Sequence, residues 1–316
     1  MKGRATPSGA AAPQPRPSMS EIYVPRRISR SESLQLRNAL CHVRHWGPAD
    51  GPVLFMFHGA RDFSISFQFV VDALARDWHV IAPDRRGIGD SARSGDLYSF
   101  ADYLADMDAI LDHYSPGQAA RVIAHSNGAN VFGLFAGLRP ERVAAFVDLE
   151  GLGAPAYPPG STANQLVRFL DVVKAGAAMK RYANHAALAA SLLRNNPRLG
   201  AARAAFLAQH FAKAEADGAV RMNLDPMHEF RVPMPGHQDM FEQVWPGRTA
   251  PLLFIEARQS VIHASYIKAG DRDTRIAALR PTRIAVLDDC GHNMHHDQPE
   301  QVARLAEAFL DEFAPV

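Results

Sequence analysis

Arg121-Val-Ile-Ala-His-Ser-Asn-Gly-Ala-Asn130 is the stretch on which the fold turns. A β-branched run of strand character precedes Ser126 and a helix-compatible run follows it, so the serine stands at a sharp strand-to-helix turn. Such a turn strains the serine backbone and brings neighbouring backbones close, which demands small residues two positions before and two after. Ala124 and Gly128 meet that demand, a methyl being the largest group the first position accepts. Ser126 then projects alone from the turn, the arrangement called a nucleophile elbow.

Segments on either side fall in the order that one fold requires. Val53-Leu-Phe-Met-Phe-His-Gly-Ala-Arg61 is an apolar run ending in His-Gly, as a buried parallel strand feeding a loop would be. His79-Val-Ile-Ala-Pro-Asp-Arg-Arg-Gly-Ile-Gly-Asp-Ser91 reads as a short strand followed by a glycine-rich turn. Ala144–Glu150 and Pro251–Glu256 are two further buried strands. Arg283-Ile-Ala-Val-Leu-Asp-Asp-Cys-Gly-His292 ends in a histidine and leads into a helical pattern over Pro299–Leu310. Strands alternating with helices predict an α/β architecture with a mainly parallel central sheet flanked by helices.

With these motifs assembled, the chain resembles the α/β-hydrolase superfamily over residues 35–153 and 246–314. The matching positions are His58-Gly59, Asp84 to Ser91, Ser126 and Gly291-His292. The resemblance implies an α/β-hydrolase fold with an inserted helical cap: a core of residues 21–153 and 246–316, and a cap over 154–245. Cap helices are expected at Ala186–Arg194 and Arg203–Ala214, between loop signals at Pro155–Gly160 and Pro233–Gly236.

Composition limits the alternatives. A chain of 316 residues with 47% hydrophobic content can bury one large core with an accessory module. Lys and Arg number 34 against 33 Asp and Glu, a net charge of +1, so no global field favours nucleic acid or an anionic membrane. Cys41 and Cys290 are too few for a disulfide framework. Residues 1–20 mix Pro, Ala, Gly and Ser without an apolar stretch and read as a disordered tail, Met19 being a possible start. Neither the apolar segment of about 7–15 residues of a signal peptide nor a span of about 20 is present. Cytoplasm is the expected compartment and a small molecule the expected partner.

Serine is a weak nucleophile, so it requires a histidine base within hydrogen-bond reach and a carboxylate to orient that base. Ser126 and His292 supply the first two; His295 and His296 are expected to face the cap or solvent. The resemblance places the acid most often just past the strand matching Pro251–Glu256. Here that loop reads Ala257-Arg-Gln-Ser-Val-Ile262 and holds no carboxylate, while Glu256 lies within the strand, one step too early. A minority solution, found in haloalkane dehalogenases, takes the acid from the end of the preceding strand. That is Glu150, in the chain order Ser126, Glu150, His292. Asp148 is expected to face the other way along the strand.

The resemblance also implies an oxyanion hole of backbone N–H groups from Ala60 and Asn127. Arg61 reads as a solvated loop residue. His58, His125 and Asp84 lack a compact ligand motif, and Gly87 and Gly89 lack the companions of a nucleotide loop, so neither metal nor cofactor is expected. Dehalogenases and epoxide hydrolases attack with an aspartate at the elbow; a serine instead implies an acyl-enzyme from a carbonyl substrate. The expected activity is hydrolysis of a small carboxylic ester by a Ser-His-Glu triad. Carbon–carbon bond hydrolysis of a ring-cleavage product, cofactor-free oxygen chemistry and a slow-turnover ligand sensor are the alternatives on the same fold.

Overall fold

The protein, a computed structural model, is described over residues 22–93, 97–153, 160–229 and 237–316. The expected tail over 1–20 and most of the two loop signals bracketing the cap lie outside these residues. Strands occur at β1 (Arg30–Leu36), β2 (Ala39–Trp46), β3 (Val53–Phe57), β4 (His79–Pro83), β5 (Ala120–His125), β6 (Val143–Leu149), β7 (Arg181–Tyr182), β8 (Ala212–Ala214), β9 (Val220–Met222), β10 (Leu252–Ala257) and β11 (Arg283–Leu287). Eight of them form one sheet in the order β1-β2-β4-β3-β5-β6-β10-β11. From β4 through β11 every pairing is parallel, while β1–β2 and β2–β4 are antiparallel.

Side-chain alternation explains why the central strands read as unbroken apolar runs. On β3, Leu54 and Met56 enter one core and Phe55 and Phe57 enter the other. Val302, Ala306, Phe309 and Leu310 of the helix Pro299–Phe313 close the first face. Met107 and Ile110 of the helix Phe100–Tyr114, with Val131, Phe132 and Phe135 of the helix Asn127–Leu138, close the second. A strand covered on both faces has no polar side to show, which is the pattern of a buried parallel sheet. The hairpin β1–β2 escapes sequence reading because its residues are mostly exposed or half-buried at the sheet edge.

Between β6 and β10 lie the helices Thr162–Ala175, His185–Asn195, Ala201–Phe211 and His237–Val244, together with a small sheet ordered β7-β9-β8. That sheet corrects the helical reading of Arg203–Ala214. The helix stops at Phe211, and Ala212–Ala214 turns to pair antiparallel with Val220–Met222. Strands of two or three residues carry no period that a sequence pattern could show. Glu215 fixes the sheet by accepting from Arg181 Nε at 2.7 Å and Arg221 Nε at 2.6 Å. The insertion is stitched to the turn after β4: Gly89 N donates to Asn223 O at 2.8 Å, and Asp225 N to Gly87 O at 2.7 Å.

Close approach at the elbow also rests on Gly128. A Cβ there would stand 2.5 Å from both the Phe57 and the His58 carbonyl oxygens, so β3 can meet the helix after Ser126 only because the side chain is hydrogen. Replacing Gly128 by Ala is expected to cost about 1–3 kcal/mol of unfolding free energy by overpacking. Urea denaturation checks this, and an unchanged midpoint would contradict it.

Candidate active site

Ser126 holds φ 51° and ψ −119°, between the last residue of β5 and the first of the helix Asn127–Leu138. Two backbone bonds pin it: its N–H donates to Leu149 O at 2.9 Å and its carbonyl accepts from Asn130 N at 2.9 Å. Gly59 passes close by, for a Cβ on it would lie 2.8 Å from His125 Nδ1 and 3.3 Å from Ser126 Cβ.

The three side chains singled out in the sequence come together. His292 Nε2 lies 2.8 Å from Ser126 Oγ, and its Nδ1 lies 2.6 Å from Glu150 Oε2. Because an ionised carboxylate only accepts, Nδ1 carries the hydrogen and Nε2 turns its lone pair to the serine hydroxyl. The His292 carbonyl in turn accepts from His125 Nε2 at 2.9 Å, which ties the base's backbone to the elbow strand.

Glu150 is only 5% exposed, so its charge requires donors. Besides His292 it receives Ala257 N–H on Oε1 at 2.7 Å and the Ser260 hydroxyl on Oε2 at 2.6 Å. Ala257 ends β10 and Ser260 lies in the turn just after it, so the segment without a carboxylate of its own supplies hydrogen bonds to Glu150. Sequence reasoning missed Ser260, whose only signal was a serine three residues past a strand end.

The other carboxylates are engaged elsewhere. Glu256 Oε1 accepts from Arg272 at 2.9 Å. Asp148 turns away, its Oδ1 accepting from Gly151 N at 2.5 Å. Alternation is not the reason, since residues two apart on a strand share a face. β6 ends at Leu149, and Glu150 swings toward His292 through a backbone at φ 57°.

Ala60 follows Gly59 in the loop after β3, and Asn127 opens a helix whose leading N–H groups have no intrahelical acceptor. The Arg85 side chain joins the loop before Ala60 to the first residue of that helix, a role the sequence reading did not foresee. Its guanidinium donates to His58 O at 2.9 Å, to Gly59 O at 2.5 Å and to Asn127 Oδ1, and stacks 4.8 Å over the Tyr103 ring. Arg61 is exposed, as expected.

His58 and Asp84 are committed to structure. His58 Nδ1 donates to Gly59 O at 2.9 Å and its Nε2 accepts from Arg85 N at 3.0 Å. Asp84 binds His42 Nδ1 at 2.7 Å and Ser64 N at 2.7 Å. Burial corrects the expectation of solvent for His295 and His296, which are 0% and 6% exposed, while the inserted segment does touch them, Arg203 Nη1 donating to His296 O at 2.8 Å. Their short helix, Met294–Asp297, folds inward so that His295 meets Asp62 and Phe67 while His296 meets Phe69.

Comparison with known proteins agrees with this architecture. A family model described as alpha/beta hydrolase fold matches residues 52–215. The chain belongs to the α/β-hydrolase family. A serine hydrolase-like protein of Danio rerio is 36% identical over 110 residues, 34% of this chain and 33% of that one. Epoxide hydrolase B of Mycobacterium tuberculosis is 33% identical over 139 residues, 40% and 39% of the two chains. The chain thus spans a third or less of the length of the curated relatives it matches first. A thioesterase domain from the curacin biosynthetic pathway superposes with a TM-score of 0.78 at 23% identity, over 89% of this chain and 99% of that one. Among the described residues no helix is long and apolar enough to cross a membrane.

Two outcomes follow from the site's electrostatics. Burial, reinforced by the Arg85 cation, pushes the His58 imidazole down to about 4, and burial also holds His125 and His296 well below their usual value. Unfolded, these rings protonate near 6.5. The unfolded chain therefore binds more protons as pH falls from about 6.5 toward 4, and stability drops across that window. The melting temperature is expected to fall by about 5 °C or more between pH 7 and pH 5, and a flat profile would refute the neutral cluster. Ser260→Ala leaves the buried Glu150 one donor short and should cost about 1–3 kcal/mol in chemical denaturation.

Proposed function

We propose that this protein hydrolyses a carboxylic ester of a small molecule through an acyl-enzyme formed on Ser126. The observation that carries the reading is the unbroken run of hydrogen bonds from Ser126 Oγ through His292 to the buried Glu150, at 2.8 Å and 2.6 Å. His292 Nε2 takes the hydroxyl proton as Oγ attacks the ester carbonyl, and Glu150 steadies the imidazolium that forms. The Ala60 and Asn127 N–H groups receive the oxyanion of the tetrahedral intermediate. Collapse expels the alkoxide, to which His292 returns the proton; water then repeats the sequence and frees the acid. Residues 154–245 act as a cap that shapes the pocket for the acyl or alcohol part.

An epoxide-opening reaction, suggested by the name of one relative, fits less well. It needs a carboxylate nucleophile, and the elbow residue is a serine.

Intact-mass measurement after exposure to a fluorophosphonate tests the nucleophile. Wild type should gain a single adduct, Ser126→Ala none, and Glu150→Gln should react more slowly by about 10²–10⁴-fold, as loss of the orienting acid implies. Folded wild type that stays unlabelled would overturn the acyl-enzyme reading. Turnover of p-nitrophenyl esters by wild type, absent in Ser126→Ala, extends the test to hydrolysis itself.

A further inference from the structure

Asp62, His295 and His296 take no part in the chain of bonds at Ser126, yet they bring metal-binding atoms together in the interior. Asp62 follows β3 in the loop that also carries Gly59 and Ala60, and the two histidines sit three and four residues beyond His292. Their exposures are 8%, 0% and 6%. One carboxylate oxygen and one ring nitrogen from each histidine all lie within 4.8 Å of one another. Ligand atoms around a zinc ion with bonds near 2.0–2.2 Å are roughly 3–4 Å apart, so small side-chain rotations close the set.

One further feature points to a ligand. His295 Nε2 faces Asp62 Oδ2 at 3.3 Å, while His295 Nδ1 and His296 Nε2 are buried with no hydrogen-bond partner among the described residues. An unsatisfied buried polar atom costs about 1–3 kcal/mol, and an imidazole lone pair in that position is relieved by a metal ion. Outside the three, Ser66 Oγ donates to Asp62 Oδ2 at 2.8 Å, an outer bond of the kind that orients a ligating carboxylate.

The geometry points to a binding site for a first-row divalent transition metal, with zinc as its type, formed by Asp62, His295 and His296. Two nitrogen donors and one oxygen favour such an ion over calcium or magnesium, which take oxygen sets. An ion there ties the loop after β3 to the short helix after His292. The His125 ring lies between, its centroid 4.2 Å from that of His295 and 4.8 Å from that of His292.

Chelator-treated full-length protein titrated with Co²⁺ should take up one equivalent with visible d–d bands, which Zn²⁺ abolishes. Saturating Zn²⁺ should raise the melting temperature by about 3 °C or more. Asp62→Asn and His296→Gln, each shown folded by circular dichroism, should lose more than the roughly 10–100-fold in affinity that an outer-shell change costs. Ser126→Ala and Glu150→Gln should keep the wild-type affinity. X-ray absorption of the Zn²⁺-loaded wild type provides a readout independent of the variants, and two imidazoles with oxygen are expected. Absence of stoichiometric binding, retention of it in both Asp62→Asn and His296→Gln, or its loss in Glu150→Gln would each overturn the site.

Discussion

Ser126 is held at a positive φ with ψ near −119°, a backbone state that costs a non-glycine residue about 1–3 kcal/mol unless its surroundings over-determine it. Much of the central architecture does so. β6 offers the Leu149 carbonyl to the serine N–H, and the helix that begins at Asn127 takes up the serine carbonyl. Gly59 and Gly128 let the end of β3 lie against the turn, with no room for a side chain at either position. The same packing sets the Asn127 N–H at the start of a helix beside the hydroxyl, where negative charge is favoured. A half-buried hydroxyl on a strained turn and the start of a helix are thus one structural feature.

Glu150 imposes the second constraint, because a carboxylate so deeply buried is stable only when its oxygens are filled. Three donors meet it: His292, the Ala257 amide and the Ser260 hydroxyl. Glu150 follows β6 and two of its donors lie at or just past the end of β10, within reach because β6 and β10 are neighbours in the sheet. Arg85 works alike on the opposite side. Its guanidinium holds the His58 and Gly59 carbonyls, fixing which way the peptides of that loop face.

Strong local patterns account for what could be read in advance. The central strands are apolar on both sides, the elbow needs small neighbours, and His292 follows a strand end; each is a property of a short stretch. The hairpin β1–β2 and the strands β7 to β9 lacked such a pattern, being half-exposed or only two or three residues long. The direction of Asp148 came out as expected but for a different reason, the end of β6 and not alternation. His295 and His296 were misjudged because a polar side chain is ordinarily solvated, and only partners distant in sequence, Asp62, Phe67 and Phe69, draw them inside.

The order of the central strands, the α/β-hydrolase family, Ser126 at the strand-to-helix turn and His292 after the last strand were determined by the sequence itself, because near-neighbour sterics and periodic burial act along the chain. Glu150 as the partner of His292 was offered by the sequence only through the family resemblance; the donors that Ala257 and Ser260 lend to it, and the gathering of Asp62 with His295, were decided by tertiary structure alone. Which carboxylate reaches which imidazole depends on strand adjacency and on one backbone turn at φ 57°, and neither leaves a mark in local sequence.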